Sequence, residues 1–159
     1  MSSLGEENTR VRALRDKLED TILRTIPNTV RNGGKEPRLP NTTNLAFDFV
    51  EAEAVLLLLD NLGICCSSGS ACTTGSLDPS HVLMAMGLNP MRARGSVRFS
   101  LGLYNTAEEV DYVLKHLPGI IKRLRDISPL NPEHTDNHAY DIDAARVKHE
   151  VDLAAALKE

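Results

Sequence analysis

Apolar residues return at Val11, Leu14, Leu18, Ile22 and Ile26, in steps of three and four that place them on one face of a helix. Arg12–Asp16 and Arg15–Glu19 have the i,i+4 spacing of opposite-charge pairs, expected on the solvent side of that helix. Ser3 and Glu6 have the spacing of a capping box. From Pro27 to Asn41 the chain is punctuated by Pro27, Gly33, Gly34, Pro37 and Pro40, which predicts a loop with room for one short strand. Leu45, Phe47 and Phe49 then alternate with Ala46, Asp48 and Val50, a strand pattern. Glu51–Asn61 reads as a buried, leucine-rich helix with Gly63 at its C′ position, followed by a short apolar strand end at Ile64–Cys66.

Further on, Asp78 is placed to cap a short helix opened by Pro79 and stopped at Gly87. Val97, Phe99 and Leu101 alternate with Ser96, Arg98 and Ser100, predicting another strand. Thr106 and Glu109 spell a capping box for a helix whose apolar face is Val110, Val113, Leu114, Leu117, Ile120, Ile121 and Leu124. Pro118 predicts a kink in it, and Ser128-Pro129 its end. Asn131–Asp143 is polar and expected to be disordered, and Ala144–Leu157 has the spacing of a marginal amphipathic helix. The fold class that follows is α+β: a three- or four-stranded sheet, with strands near Asn44–Val50, Ile64–Cys66 and Ser96–Leu101, covered by helices. Residues 1–130 are expected to form the domain and 131–159 a polar tail.

Composition narrows the function classes. An apolar share of 42% is ordinary for a globular protein, and a chain of 159 residues buries roughly two-thirds of its unfolded surface. A net charge of −4 argues against nucleic acid as the main partner, because phosphate binding needs a basic face. The longest apolar run, Ala54–Leu59, is far short of the roughly 20 residues of a membrane span. The opening MSSLGEEN lacks the basic start and apolar core of a secretory leader. Three cysteines, two of them adjacent, make a poor disulfide framework, and a reducing cytoplasm is the simplest setting.

The most unusual segment is Ser67–Ser76, SSGSACTTGS, in which no side chain is larger than threonine or cysteine. Little apolar area anchors it and Gly69 and Gly75 loosen the backbone, so a mobile loop is expected, with Cys72 at its centre. A nucleophilic cysteine needs such access, and activation by a positive neighbour or a proton acceptor, since a thiol of pKa about 8.5 is only a few per cent thiolate at neutral pH. His81 is the nearest candidate in sequence. The competing reading is a cysteine that packs as a small apolar residue, and local chemistry alone leaves both open. Cys65, Cys66 and Cys72 lack C-x2-C spacing, so no protein-only metal site is expected, and Cys65 and Cys66 read as structural.

Arg98 sits between two core-facing residues and so points to the other sheet face with Ser96 and Ser100. An arginine among small polar side chains suits a carboxylate, whose two oxygens match its planar fork. The bland alternative is a surface ion pair worth less than about 1 kcal/mol, and Arg38, in the Pro-rich loop, is expected to be of that kind. His116 reads as helix surface, and His134, His138 and His149 as solvated.

SSGSACTTGSLDPSHVLMAMGL strongly resembles the active-cysteine loop of NifS/IscS-type cysteine desulfurases. RLPNTTNLAFDFVEAEAVLLLLDNLGI and GSVRFSLGLYNTAEEVDYVLKHLPGIIKRLRDISPL are similar to the same family in the same order, so the resemblance runs from about Thr9 to Leu130. The S-S-G-S-A-C pattern sets the chain apart from SufS-like desulfurases, which carry R-x-G-x-H-C in a shorter loop. The resemblance implies the small C-terminal domain of a fold-type I pyridoxal phosphate (PLP) enzyme, a class V aminotransferase relative. Cys72 is implied as the catalytic thiol that attacks the sulfur of L-cysteine, releasing alanine and holding a persulfide for an iron–sulfur scaffold protein. Arg98, the arginine of the R-F-S motif, is implied to bind the substrate carboxylate. A role in iron–sulfur cluster or nitrogenase cofactor assembly, a homodimer in the full-length family and transient iron–sulfur ligation by Cys72 belong to the same implication.

One departure is large. The family's cofactor lysine lies in a Ser-x-His-Lys segment, which is absent here, and Lys17, Lys35, Lys115, Lys122, Lys148 and Lys158 all stand in other contexts. No cofactor-binding residue is therefore assigned in this chain, which is expected to be a separated part of a longer enzyme, inactive alone. The alternative function is a non-enzymatic persulfide carrier or scaffold-binding module.

Overall fold

The computed structural model describes residues 4–68 and 79–131. The chain divides into two units, Met1–Ser128 and Pro129–Glu159, and only residues 129–131 of the second are described. The expectations for Ser3, for the loop from 69 to 76 with Cys72, for Asp78 and for the tail from 132 onward lie outside the described residues.

The first apolar stripe builds α1 (Leu4–Thr25), with Val11, Leu14, Leu18 and Ile22 buried and Ile26 following them into the core. The Pro- and Gly-rich stretch after it holds one short strand, β1 (Thr29–Arg31). Next come β2 (Thr42–Phe47), α2 (Ala52–Asp60), β3 (Ser67–Ser68), α3 (His81–Ala85), α4 (Pro90–Arg94), β4 (Ser96–Ser100) and α5 (Ala107–Ile127). The strands form one antiparallel sheet in the order β1-β2-β4-β3. The α+β class and the four-stranded form of the sheet are thus as expected. Leu45, Phe47, Val97 and Phe99 meet Leu18, Ile22, Val55, Leu59, Leu117 and Ile121 in a single core.

Local chemistry sets the element ends. Thr106 and Glu109 form the expected reciprocal capping box on α5, which runs on through Pro118 to Ile127 and ends at Ser128. α2 is closed by Gly63 at φ +74, with Gly63 N–H donating to Asp60 O and Ile64 N–H to Leu59 O, the paired bonds of a left-handed helix stop. Gly95 is required for a different reason: a Cβ there would fall 2.3 Å from Phe47 O and 2.9 Å from Val50 O. From α5, Arg125 donates to the carbonyls of Pro27 (2.8 Å), Asn28 (2.9 Å) and Asp48 (3.0 Å). One helix thus satisfies acceptors in two separate turns, a need that irregular backbone always carries.

Several expectations are corrected. Ile64–Cys66 is not a strand; the ladder falls on Ser67–Ser68, while Ile64 and Cys66 pack against the core from irregular backbone. The second strand stops at Phe47, and Phe49 turns with φ +69, off the alternating pattern. α2 is only half buried, since Leu57 is exposed. The short helix before Gly87 is capped by Ser80, whose hydroxyl accepts from Leu83 N–H. α4 is an extra element, announced by Asn89 as N-cap and Pro90 at the first helical position. Among the described residues no helix is long and apolar enough to cross a membrane.

The largest correction concerns charge. Arg15 and Glu19 are not on a wet face: they are 1% and 2% exposed. Arg15 donates to Leu39 O at 3.1 Å, with its Nε 2.7 Å from the Asp16 carboxylate. Arg12 turns to Glu36, 3.9 Å away, instead of Asp16. Glu19 accepts from Arg38 at both carboxylate oxygens (2.6 and 2.7 Å), from Arg31 (3.1 Å) and from the Thr43 hydroxyl (2.5 Å). Arg38 is therefore no surface ion pair; it staples the Pro-rich loop to α1 through a buried carboxylate.

Candidate functional site

With Val97 and Phe99 in the core, Arg98 projects from the opposite face of β4 and is exposed, as the alternation of the strand predicts. Its directly opposed neighbours are Asn44 on β2 and Ser67 on β3. Opposed residues in antiparallel strands share a face, so Asn44, Arg98 and Ser67 form a row across three strands. Among the described residues no carboxylate pairs with Arg98. An unneutralised guanidinium on a face of small polar side chains binds a planar anion in two-pronged fashion.

One end of this face is tied down by a polar chain. Asn32 extends the β1–β2 ladder, its N–H donating to Asn44 O at 2.9 Å. Its side-chain amide donates to Asn44 Oδ1 (2.7 Å) and to Ser96 Oγ (2.9 Å), and Ser96 in turn donates to Arg92 O (2.7 Å). Arg92 grips Asp48 through Nε and Nη2 at 3.0 and 2.9 Å, which holds α4 on β2. Ser96, expected beside Arg98 on the open face, is instead fully buried under this network.

Cys72 lies outside the described residues. Ser67–Ser68, the last described residues before it, leave the sheet from the position opposite Arg98. His81 stands exposed in the first turn of α3. Cys65 is exposed, whereas Cys66 packs on the core; burial pushes its thiol up to about 11, with Cys65 adding to the shift. At that value Cys66 stays protonated and unreactive at neutral pH, as a structural cysteine should. Cys65 borders a cavity of about 560 Å³ between α1, α5 and the turn after α2, lined chiefly by Leu18, Ile64, Phe99, Leu101 and Val113; Arg98 is not among its walls. Among the described residues no group of three His, Cys, Asp or Glu could hold a metal ion.

The lysines test whether PLP fits here. Lys17 is bound to Asp111 at 2.6 Å, Lys122 to Asp126 at 2.6 Å, and Lys35 and Lys115 are exposed on a loop and on α5. None stands on the Arg98 face, where an imine-forming lysine would have to meet the substrate. The described residues therefore do not fit the cofactor's attachment, in keeping with the absence of the Ser-x-His-Lys segment.

Sequence reading located Arg98 and its face but missed Asn44, whose place opposite Arg98 was available from strand alternation once the register was known. It also missed Glu19, because charges spaced by four on an amphipathic helix carry the same signature whether they are wet or buried.

Comparison with known proteins sets this geometry in a family. The aminotransferase class-V model matches residues 3–113. Cysteine desulfurase NifS of Azotobacter vinelandii is 54% identical over 126 residues, covering 79% of this chain and 31% of that protein. A cysteine desulfurase of Gluconacetobacter diazotrophicus is 56% identical over 126 residues, covering 79% and 32%. Among solved structures, a NifS-like protein aligns with a TM-score of 0.62 at 32% identity, over 73% of this chain and 28% of that one. The NifS-like protein from Rickettsia africae aligns at 0.60 and 30% identity, over 77% and 30%. The chain spans about a third of the length of the curated relatives it matches. The resemblance carried by the S-S-G-S-A-C and R-F-S segments is borne out, and with most of its length matched this chain belongs to the class-V aminotransferase family, as a relative of the NifS-type cysteine desulfurases.

Proposed function

We propose that this chain is the C-terminal part of a cysteine desulfurase, contributing Arg98 to grip the carboxylate of L-cysteine and Cys72 to accept its sulfur. The observation that carries this reading is the open guanidinium of Arg98, unpaired among the described residues and directly opposite the strand that leads to the cysteine. Three residues separate Ser68 from Cys72, so the Cα of Cys72 is held within about 14 Å of that of Ser68 by chain length alone. In net terms L-cysteine and the Cys72 thiol become L-alanine and a Cys72 persulfide, with no outside oxidant or reductant. Arg98 anchors the end of the substrate that does not change, and the loop thiolate meets the sulfur that leaves.

PLP chemistry loosens the substrate's carbon–sulfur bond in this family, and its lysine must come from residues other than those described. The rest of the reading follows what the family resemblance implies: the persulfide passes to an iron–sulfur scaffold protein for cluster or nitrogenase cofactor assembly, Cys72 ligates iron transiently, and the full-length enzyme is a cytoplasmic homodimer. Incubated alone with PLP and L-cysteine, the chain releases no alanine. Mixed with the remaining two-thirds of a NifS-type relative, it restores alanine release, and Cys72→Ala removes it. Alanine from the isolated chain, or equal release by Cys72→Ala, overturns the assignment.

A second reading is a carrier that takes sulfur from another protein's persulfide. It is favoured by the placement of the described lysines, none of which suits the cofactor. Mass spectrometry after exposure to a persulfide donor then finds one added sulfur on Cys72; an unmodified Cys72 removes this reading.

A further inference from the structure

The geometry points to Asn44 as a second carboxylate-binding residue beside Arg98, with its side-chain NH2 aimed at the ligand by a fixed sequence of hydrogen bonds; the assignment rests on the reading of Arg98 above. Proton bookkeeping shows why the orientation is fixed. Arg92 O can only accept, and it lies 2.7 Å from Ser96 Oγ, so the single Ser96 hydroxyl proton is spent there. Ser96 Oγ must then accept from Asn32, which sets the Asn32 nitrogen toward it at 2.9 Å. The same nitrogen lies 2.7 Å from Asn44, so the atom of Asn44 that meets it is the oxygen. Asn44 is left with both amide protons directed away from Asn32, and neither has an acceptor among the described residues.

Asn44 is half-buried and directly opposite Arg98 on the shared face. The pair therefore offers only donors: a guanidinium fork and an amide NH2 with no acceptor atom between them. That combination selects a ligand rich in acceptors, and a carboxylate fits it better than an amine or an alcohol. Had the Asn44 amide been reversed, its oxygen would face the same carboxylate and repel it. Ser96 and Asn32 act as positioning residues, since they never reach the ligand but decide which end of Asn44 does.

The test is a titration of the full ¹⁵N-labelled chain with L-alanine, the product that keeps the carboxylate, and with ethylamine, which lacks it. L-alanine shifts the Asn44 side-chain amide and Arg98 Nε signals, and ethylamine does not. Asn44→Ala weakens alanine binding at least about tenfold and Asn44→Asp weakens it further, as expected for loss and reversal of a hydrogen bond to a charged group. Ser96→Ala frees the amide to rotate and weakens binding about twofold; it is a second variant that leaves Asn44 itself in place. Backbone amide spectra report whether each variant keeps its fold. If Arg98→Ala abolishes the shifts while both Asn44 variants and Ser96→Ala bind as the parent does, the Asn44 assignment falls and the Arg98 reading stands. If Arg98→Ala changes nothing, or the parent shows no carboxylate-dependent shift, the Arg98 reading falls and takes this inference with it.

Discussion

Thr43 and Asn44 are neighbours on one strand and serve two arginine systems of opposite design. Thr43 faces inward, where its hydroxyl and the guanidinium groups of Arg31 and Arg38 all converge on the Glu19 carboxylate. Asn44 faces outward beside Arg98, which has no carboxylate of its own among the described residues. The inner system is turned in on itself: two guanidinium groups and a hydroxyl share one buried carboxylate and hold a loop to a helix, with Arg31 Nε and Arg38 Nε buried without a hydrogen-bond acceptor. The outer system is open, with its guanidinium exposed on the sheet face. An arginine that already owns its counter-ion is architecture, and one that lacks it is an offer to a ligand.

Breaking the inner system should have the largest effect. Glu19→Ala leaves two enclosed guanidinium groups without their carboxylate and should lower unfolding free energy by about 3–5 kcal/mol in urea titrations. A loss below about 1 kcal/mol would show that the cluster is a bystander to stability.

Acid should reproduce much of that loss. Burial by itself pushes the Glu19 carboxyl up, but hydrogen bonds from Arg38, Thr43 and Arg31 overcome it and hold the pKa down at about 2, against 4.5 for the free group. The folded-state value is the lower one, so the stabilisation is complete above about pH 4.5 and is lost as the pH falls through about 2. The gap corresponds to about 3 kcal/mol. Denaturant midpoints between pH 5 and pH 2 should show this slope in the parent and a shallower one in Glu19→Gln.

Thr43→Val keeps the shape of the side chain but removes one hydrogen bond to the carboxylate, and a loss of about 2 kcal/mol is expected from thermal unfolding. At the small end, Arg98→Ala should change stability by less than about 0.5 kcal/mol while abolishing carboxylate binding. A destabilisation near that of Glu19→Ala would erase the distinction between the two systems, since Arg98 would then be structural too.

The same contrast explains what the sequence made legible. The stripes of α1 and α5 and the alternation of β4 are periodic, and periodicity is what packing on one face imposes. The Thr106–Glu109 box is equally local, so it was readable from four residues. Glu19 was not, because its partners return from Arg31, Arg38 and Thr43, 12 to 24 residues away, and no local pattern records that they do. β3 was displaced for a related reason: Ile64 and Cys66 are apolar because they touch the core, yet the ladder runs through the two serines that follow. For the outer face, alternation revealed where Arg98 points. Which end of the Asn44 amide faces it depends on a carbonyl of α4, an element whose only announcement was an asparagine followed by a proline.

Arg125 carries a consequence for how such a chain is made. Its bonds to Pro27 O and Asn28 O join positions 98 and 97 residues apart. During synthesis those early carbonyls wait for this guanidinium for roughly five to twenty seconds, at elongation rates of about 5–20 residues per second. Until α5 emerges, the bend that follows α1 has the Thr29 hydroxyl on Pro27 O and Asp48 N–H on Asn28 O, without the guanidinium that ties both carbonyls to the helix.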